Sequence, residues 1–314
     1  MDSLRLPLFA LPQHREFSTT EDQSFKNCYP EIISSPGETP FTCVVKRPGF
    51  SDSLTTASAA GRALYGWTQD GSIYAVVGNQ VFKDGSALSG TLDDATGRVD
   101  ITEVRGGTPR LVIRVGDKIW TVTSGGTLAK QTDSDIPTGL VSGIVNIDGF
   151  ICVMKGSTNQ IFHADVNDPT SWNADSNLTS SLEPDKGVGI AKHLNFVVAF
   201  NEFSTEFFFN AGNASGSTLS PVEGIAIRYG CANGDTIFSG ENTIIWMAQG
   251  RTGGKSIMML EGNDLKTISS KPIERLIDEE ANGGGNGIAD AYAFGMRIGG
   301  HQFYVLTLKN TAKT

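Results

Sequence analysis

From residue 61 onward the chain repeats one pattern: a short apolar run rich in Val, Ile, Phe and Tyr, a two-residue turn of polar or small residues, and a second apolar run. Gly, Asp and Asn tolerate the positive φ that tight hairpin turns require, so each unit predicts a β-hairpin. Six units follow this form. They run over residues 63–77 around Asp70 and Gly71, 110–123 around Gly116 and Asp117, and 141–154 around Asp148 and Gly149. The other three run over 188–200 around Leu194 and Asn195, 235–248 around Glu241 and Asn242, and 293–308 around Gly299 and Gly300. The turns at 70, 116, 148, 194, 241 and 299 are spaced by 46, 32, 46, 47 and 58 residues. That spacing clusters near the ~40–50 residues of a propeller blade.

The pattern predicts an all-β fold, a β-propeller of about six blades with the last one incomplete. Neither a W-D dipeptide nor a kelch signature recurs, so period carries the prediction, and a β-sandwich or a pair of β domains is the competing architecture. One helix interrupts the repeat and accounts for the longest step. Ser269 and Ser270 offer an N-cap, Pro272 suits the first turn, and Gly283 to Gly285 stop the run. Ile273, Leu276 and Ile277 are expected to form its packed face, with Glu274, Asp278, Glu279 and Glu280 in solvent. Residues 1–50 lack sustained periodicity and carry six prolines, at 7, 12, 30, 36, 40 and 48. They read as an extended N-terminal arm, leaving 51–314 as the propeller domain.

Composition narrows the function classes. The 314 residues include 37 glycines, and 19% are charged, which suits a turn-rich β protein. A net charge of −9 argues against gripping nucleic acid by phosphate neutralisation. The four cysteines, Cys28, Cys43, Cys152 and Cys231, lie far apart with no C-x-x-C pair, and read as buried free thiols in a reducing compartment. The apolar stretch at residues 4–11 is short, contains Arg5 and is broken by Pro7 and Pro12, which makes a poor signal peptide. No apolar run approaches the ~18 residues of a membrane span, so stable membrane insertion is not expected.

Candidate chemistry is thin. Residues 250–256 resemble a phosphate loop, but Gln249 stands where that motif needs glycine. An apolar strand-like run follows instead of a helix, so a hairpin turn is expected. The glycine-rich stretch 283–287 follows a helix and lacks a dinucleotide-binding setting. His14, His163, His193 and His301 are isolated, with no metal-ligand spacing. Asp70, Asp117, Asp148 and Glu241 fall at turns, where a propeller rim could collect them into a glycosidase pair, yet tight turns favour such residues anyway. Phe203, Phe207, Phe208 and Phe209 could form a ligand platform, but core packing of a strand is the commoner use. No catalytic, cofactor-binding or metal-binding residue is predicted, and no cofactor.

The stretch from Trp172 to Gly212 resembles the tail accessory, or packaged-DNA stabilisation, proteins of short-tailed bacteriophages, the tail hub or nozzle components. It shares a Trp leading into an S-x-E-x-D element at Ser181, Glu183 and Asp185, then a hairpin, then T-x-E-like Thr205 and Glu206 before an aromatic run and Gly212. Other landmarks follow in order. They are Asn27 to Glu31 with Pro48 and Gly49, Gly97 to Val99 before 109–113, Arg228 to Ala232 with Tyr229 as a departure, Gly253 and Gly254, and Ile268 and Ser269 with Ile273 and Glu274.

The resemblance implies a six-bladed propeller assembled as a homo-oligomeric ring, commonly of six copies. Such a ring extends the channel of the portal or head-to-tail adaptor, meets tail fibre, tailspike or needle proteins, and passes duplex DNA without sequence-specific contacts. It implies a virion tail component assembled in the bacterial cytoplasm, with no enzymatic activity. Family members continue past the last hairpin here, so either the chain is truncated, the favoured expectation, or an N-terminal strand closes the ring. The alternatives are a propeller glycosidase or lyase acting on cell-surface polysaccharide, and a propeller interaction module of a cellular complex.

Overall fold

A computed structural model describes residues 27–33, 41–49, 51, 56–283 and 287–309. The apolar stretch at 4–11, Pro12, His14, Pro36, Pro40 and Gly284 to Asn286 lie outside the described residues. The first described strands, β1 (Cys28–Ile33) and β2 (Phe41–Lys46), form a two-stranded antiparallel hairpin within the stretch read as an arm.

The body is a β-propeller, as the periodicity predicts. Blade 1 holds β3 (Gly61–Trp67), β4 (Ser72–Val77), β5 (Gln80–Lys83) and β6 (Ser86–Ala87). Blade 2 holds β7 (Val99–Val104), β8 (Arg110–Val115), β9 (Lys118–Thr123) and β10 (Leu128–Lys130). Blade 3 holds β11 (Val145–Ile147), β12 (Phe150–Lys155), β13 (Gln160–Asp165) and β14 (Asp168–Thr179). Blade 4 holds β15 (Gly187–His193), β16 (Phe196–Asn201), β17 (Thr205–Asn210) and β18 (Leu219–Ile227). In blade 5 the innermost position is split between β19 (Gly230–Cys231) and β20 (Phe238–Ser239). Both pair β21 (Thr243–Gln249), which continues to β22 (Lys255–Glu261) and β23 (Asp264–Thr267). A sixth unit has two strands, β24 (Tyr292–Ile298) and β25 (His301–Thr307). Every pairing within a blade is antiparallel.

The uneven turn spacing has a topological cause. The turns at 70, 148, 194, 241 and 299 each join the first two strands of a blade, whereas the turn at 116 joins the second and third strands of blade 2. The 32-residue step is therefore a shift of phase within a regular repeat.

The middle strands read as continuous apolar runs because both of their faces are buried between neighbouring sheets. In β16, Val197 and Ala199 pack toward blade 3 while Val198 and Phe200 pack toward blade 5. In β21, Ile244, Trp246 and Ala248 face blade 4, and Ile245 and Met247 face the opposite way. Five apolar cores result, one between each consecutive pair of sheets from blade 1 to the sixth unit. Arg62 staples blade 1 to the loop that enters blade 2. Its Nε donates to the Gly97 carbonyl at 2.7 Å, and its terminal nitrogens donate to the carbonyls of Gly78, Asp94 and Thr96.

The helix, α1 (Lys271–Asn282), begins after Ser270 with Pro272 in its first turn. Its packed face differs from the expectation. Ile273 is 42% exposed while Glu280 is fully buried, so Leu276, Ile277 and Glu280 form the inward stripe and Ile277 joins the core of blades 5 and 6. The thiols are also mixed. All four cysteines are free, but Cys28 and Cys43 are half-buried and only Cys152 and Cys231 are inside. Burial pushes both inner thiols up to about 12, which makes them poor nucleophiles.

Phe200 lies wholly inside the core between blades 4 and 5, its ring 5.1 Å from that of Trp246. Phe200→Ala is expected to cost about 3–5 kcal/mol in denaturant unfolding, by lost transfer energy and an unfilled cavity. A cost below about 1 kcal/mol would contradict radial stacking of these sheets.

Candidate functional site

The six innermost segments surround a cavity of ≈930 Å³ on the propeller axis. Its wall is polar where β7 begins. Arg98 Nη1 donates to the carbonyl of Asp235 at 2.7 Å and Nη2 to that of Ile237 at 3.2 Å. The guanidinium also lies over the Tyr292 ring, 5.6 Å from its centroid. Blades 2 and 5 stand opposite each other in a six-unit ring, so this side chain spans the axis. Ser142 of the blade 3 entry donates to Asp235 at 2.5 Å, adding a second link to blade 5.

Behind Arg98 lies a buried ion cluster. The Asp100 carboxylate accepts from Arg98 Nε at 2.7 Å, from Arg114 Nη2 at 2.6 Å and from the Gly143 N–H at 2.8 Å. Burial alone would raise this carboxyl's pKa, but Arg114, Arg98 and the Gly143 amide overcome it and hold the group at about 2, below its usual 3.8. Gly143 has φ +104°, and a Cβ there would sit 1.8 Å from the Ile190 carbonyl oxygen, so only glycine brings the amide this close. No candidate drawn from the sequence includes Arg62, Asp100 or Arg114, and Arg98 enters there only as the middle residue of the 97–99 landmark. A signal was present: Arg114 interrupts the apolar run of β8, and the β7 to β8 register sets it opposite Asp100.

A second polar cluster locks the loop from blade 3 to blade 4. Asp185 accepts from the Phe203 N–H at 2.7 Å and from the Ser204 hydroxyl at 3.2 Å. Glu206 accepts from the Ser180 hydroxyl at 2.5 Å and from the Leu182 N–H at 2.8 Å. Asn201 donates to Ser180 and Ser204, Glu183 pairs with Arg251 at 3.1 Å, and the Thr205 hydroxyl donates to the Tyr229 carbonyl at 2.8 Å. Gly230 passes so close to blade 4 that a Cβ would lie 2.3 Å from the Asn201 carbonyl oxygen. The S-x-E-x-D element, the Thr205-Glu206 pair and the R-Y-G-C-A element thus meet at one inter-blade junction, where polar atoms pair across the blades and the buried Oδ1 of Asn201 is left without a partner.

The remaining sequence candidates are dispersed. Asp70, Asp148 and Glu241 sit at equivalent turns of alternate blades, and Asp117 lies at the opposite strand ends. Asp70 caps its own turn by accepting from Ser72 N–H and Tyr74 Oη and pairs with Lys83, while Asp148 adopts φ +50° and accepts from Asn210. His163 is buried with both ring nitrogens engaged: Nδ1 donates to the Ala164 carbonyl and Nε2 accepts from the Thr218 N–H. Burial lowers its pKa. His193 Nε2 contacts the Gly262 carbonyl at 2.7 Å, and His301 lies near Glu31. Residues 250–254 form the turn between β21 and β22, as expected of a hairpin. Phe207 and Phe208 point into two different inter-blade cores and Phe209 is 38% exposed, so they make no shared platform. No cluster of three or more His, Cys, Asp or Glu able to hold a metal occurs among the described residues.

Comparison with known proteins matches residues 24–313 to the phage-stabilisation family described as Bacteriophage P22 Gp10, beta-propeller. The chain belongs to this family. It is a bacteriophage structural protein of the tail-stabilisation type, and a virion component. A search of curated proteins finds no match. Among solved structures, virginiamycin B lyase of Staphylococcus aureus is 13% identical, with TM-score 0.47 over 89% of this chain and 85% of that one. The N-terminal domain of Nup159 is 9% identical, with TM-score 0.44 over 81% and 72%. Likenesses this distant carry no functional argument.

The axial cluster gives a pH test. A carboxyl whose folded pKa lies below its unfolded value stabilises the fold above the unfolded pKa, and that stability is lost as pH falls from about 4 toward 2. Asp100→Asn is expected to lose about 3–5 kcal/mol at neutral pH, because the buried Arg114 guanidinium and the half-buried one of Arg98 lose their counter-charge. It is also expected to flatten the acid limb of the stability curve in that window, followed by tryptophan fluorescence. An unchanged acid limb would assign the acid sensitivity to other groups.

Proposed function

We propose that the protein is a wall element of a short phage tail. Several copies form a ring that extends the portal or adaptor channel, retains packaged DNA and passes it during ejection. Membership of the phage-stabilisation family over residues 24–313 carries this reading. Adaptor and fibre, tailspike or needle proteins are its expected neighbours at the two ends of the ring.

The closed axis supports one feature of the assembly. A duplex is wider than its own major groove of about 12 Å, and Arg98 joins opposite walls of the propeller by direct hydrogen bonds. DNA therefore travels between copies, past the outer surface of each propeller, and never through a blade ring. The net charge of −9 suits a sliding surface, since an acidic wall repels phosphates and leaves few counterions to release. In the same reading the protein performs no catalysis, and the polar clusters serve cohesion.

Two measurements test this. Negative-stain electron microscopy of the purified full chain, alone or with its adaptor, is expected to resolve closed rings of fixed copy number, and a strictly monomeric population in both conditions would overturn the reading. A binding titration with duplex DNA at physiological ionic strength is expected to give no measurable salt-dependent affinity. A slope of log K against log salt equivalent to several phosphate contacts would contradict the sliding-wall mechanism.

A further inference from the structure

Three histidines lie among the described residues, and they differ in what a second proton would meet. His301 is exposed and sits 3.6 Å from the Glu31 carboxylate, so a proton on its ring finds a counter-charge. His193 is buried with Nε2 against the Gly262 carbonyl, and its Nδ1 faces no hydrogen-bond partner, so a proton there displaces no donor. His163 is buried too, but the Thr218 N–H points at its Nε2 from 3.1 Å. An amide N–H can only donate, so Nε2 is bare and the ring proton is on Nδ1, which donates to the Ala164 carbonyl at 3.0 Å. Both nitrogens are engaged while the ring is neutral, and a second proton would set N–H against N–H.

That contact holds a loop. Residues 211–218 join β17 to β18 and carry no titratable side chain. Inside the loop the Ala211 N–H donates to the Thr218 carbonyl, and Asn213 Nδ2 donates to the Ser217 carbonyl. At its base the Thr218 hydroxyl donates to Asn210 Oδ1 at 2.5 Å, and Asn210 Nδ2 donates to the Asp148 carboxylate at 3.0 Å. Around the ring, β12 sets Cys152 opposite His163, its thiol pushed up by burial and so neutral, and turns the Phe150 ring edge-on at 5.2 Å. On β14 the flanking pairs bring Trp172 and Asn177, neither of which titrates, and Asp175 between them is exposed. Asp165, further along β13, is the carboxylate whose charge acts on the ring. Burial lowers the pKa of His163 from its ordinary 6.5, outweighing the Ala164 carbonyl and Asp165, which both favour the charged form.

We propose that His163 is a pH latch between blades 3 and 4: neutral, it holds the 211–218 loop closed through Thr218, and a proton on Nε2 expels the Thr218 N–H and opens that loop without unfolding the blades. The sign follows from linkage. The ring binds its second proton less readily with the loop closed than with it open, so the latch is fully engaged above 6.5 and weakens as pH falls below that value. Opening changes what blade 4 presents at the strand ends where the turns at 148 and 194 lie. The latch belongs to one chain and stands whether or not copies form a tail ring.

Hydrogen exchange on the full chain tests this at the Thr218 amide, with each rate taken relative to the intrinsic rate at that pH. Protection of Thr218 is expected to fall about tenfold from pH 7 to pH 5 while the β16 amides keep theirs. In His163→Gln, Thr218 protection is expected to hold one value across that range, because the side-chain amide can accept the same bond and does not titrate. Constant protection of Thr218 in the unsubstituted chain, an equal fall at β16, or an undiminished fall in His163→Gln would each overturn the proposal. In case the variant folds poorly, nitrogen NMR of the unsubstituted protein labelled at histidine gives a second readout. At pH 7 His163 is expected as the neutral Nδ1–H tautomer, and an Nε2–H tautomer or a charged ring would also overturn it.

Discussion

Everything in this fold depends on burying two faces at once. A middle strand such as β16 or β21 carries apolar side chains on both sides, so a single layer of sheet cannot satisfy it and each blade must sit between two others. Stacked in a line, such sheets would leave two greasy outer faces. Curling the stack into a ring removes them, and the one place where the ring must be joined becomes its weakest interface. The exposed Leu64 and Phe294 mark that place.

The same constraint explains what the sequence reveals. Runs such as 196–200 and 244–248 are apolar at every position, and with their turn residues they announce both strands and turns. The blade repeat was legible for that reason. Its phase was less so: blade 2 offered its strongest turn, Gly116 and Asp117, between its second and third strands, while the first turn, near Gly106 and Gly107, is longer and less distinctive. The helix was legible from its cap and proline, but its orientation was not. Ile273 looks apolar enough to pack and Glu280 charged enough to avoid packing, and the neighbouring blade decides the reverse.

The polar clusters were least legible, because their meaning is pairwise and distant. Arg98 meets residues 235 and 237, and Glu206 meets Ser180 and Leu182, across separations that no local pattern encodes. The resemblance to phage tail proteins fell on several of these residues without saying what they do. The geometry supplies the reason. Asp185, Glu206, Thr205 and Gly230 hold adjacent blades in register, so in this chain the elements that carry the resemblance are joints between sheets.

Joints of this kind suit a wall better than a container. A propeller that binds a ligand at its axis keeps a concave mouth with polar groups free to turn toward the guest. Here Arg98 spends its donors on Asp100 and on the opposite wall, and Asp100 is saturated by Arg98, Arg114 and the Gly143 amide. The charges that could have greeted a ligand are consumed in tying blades 2, 3 and 5 together. An ion cluster of this sort adds little net stability over an apolar core, but it fixes which segments meet, since any other arrangement strands a buried charge. In the proposed tail role, a hub tied in this way keeps the outer surface of the propeller in shape beside the duplex.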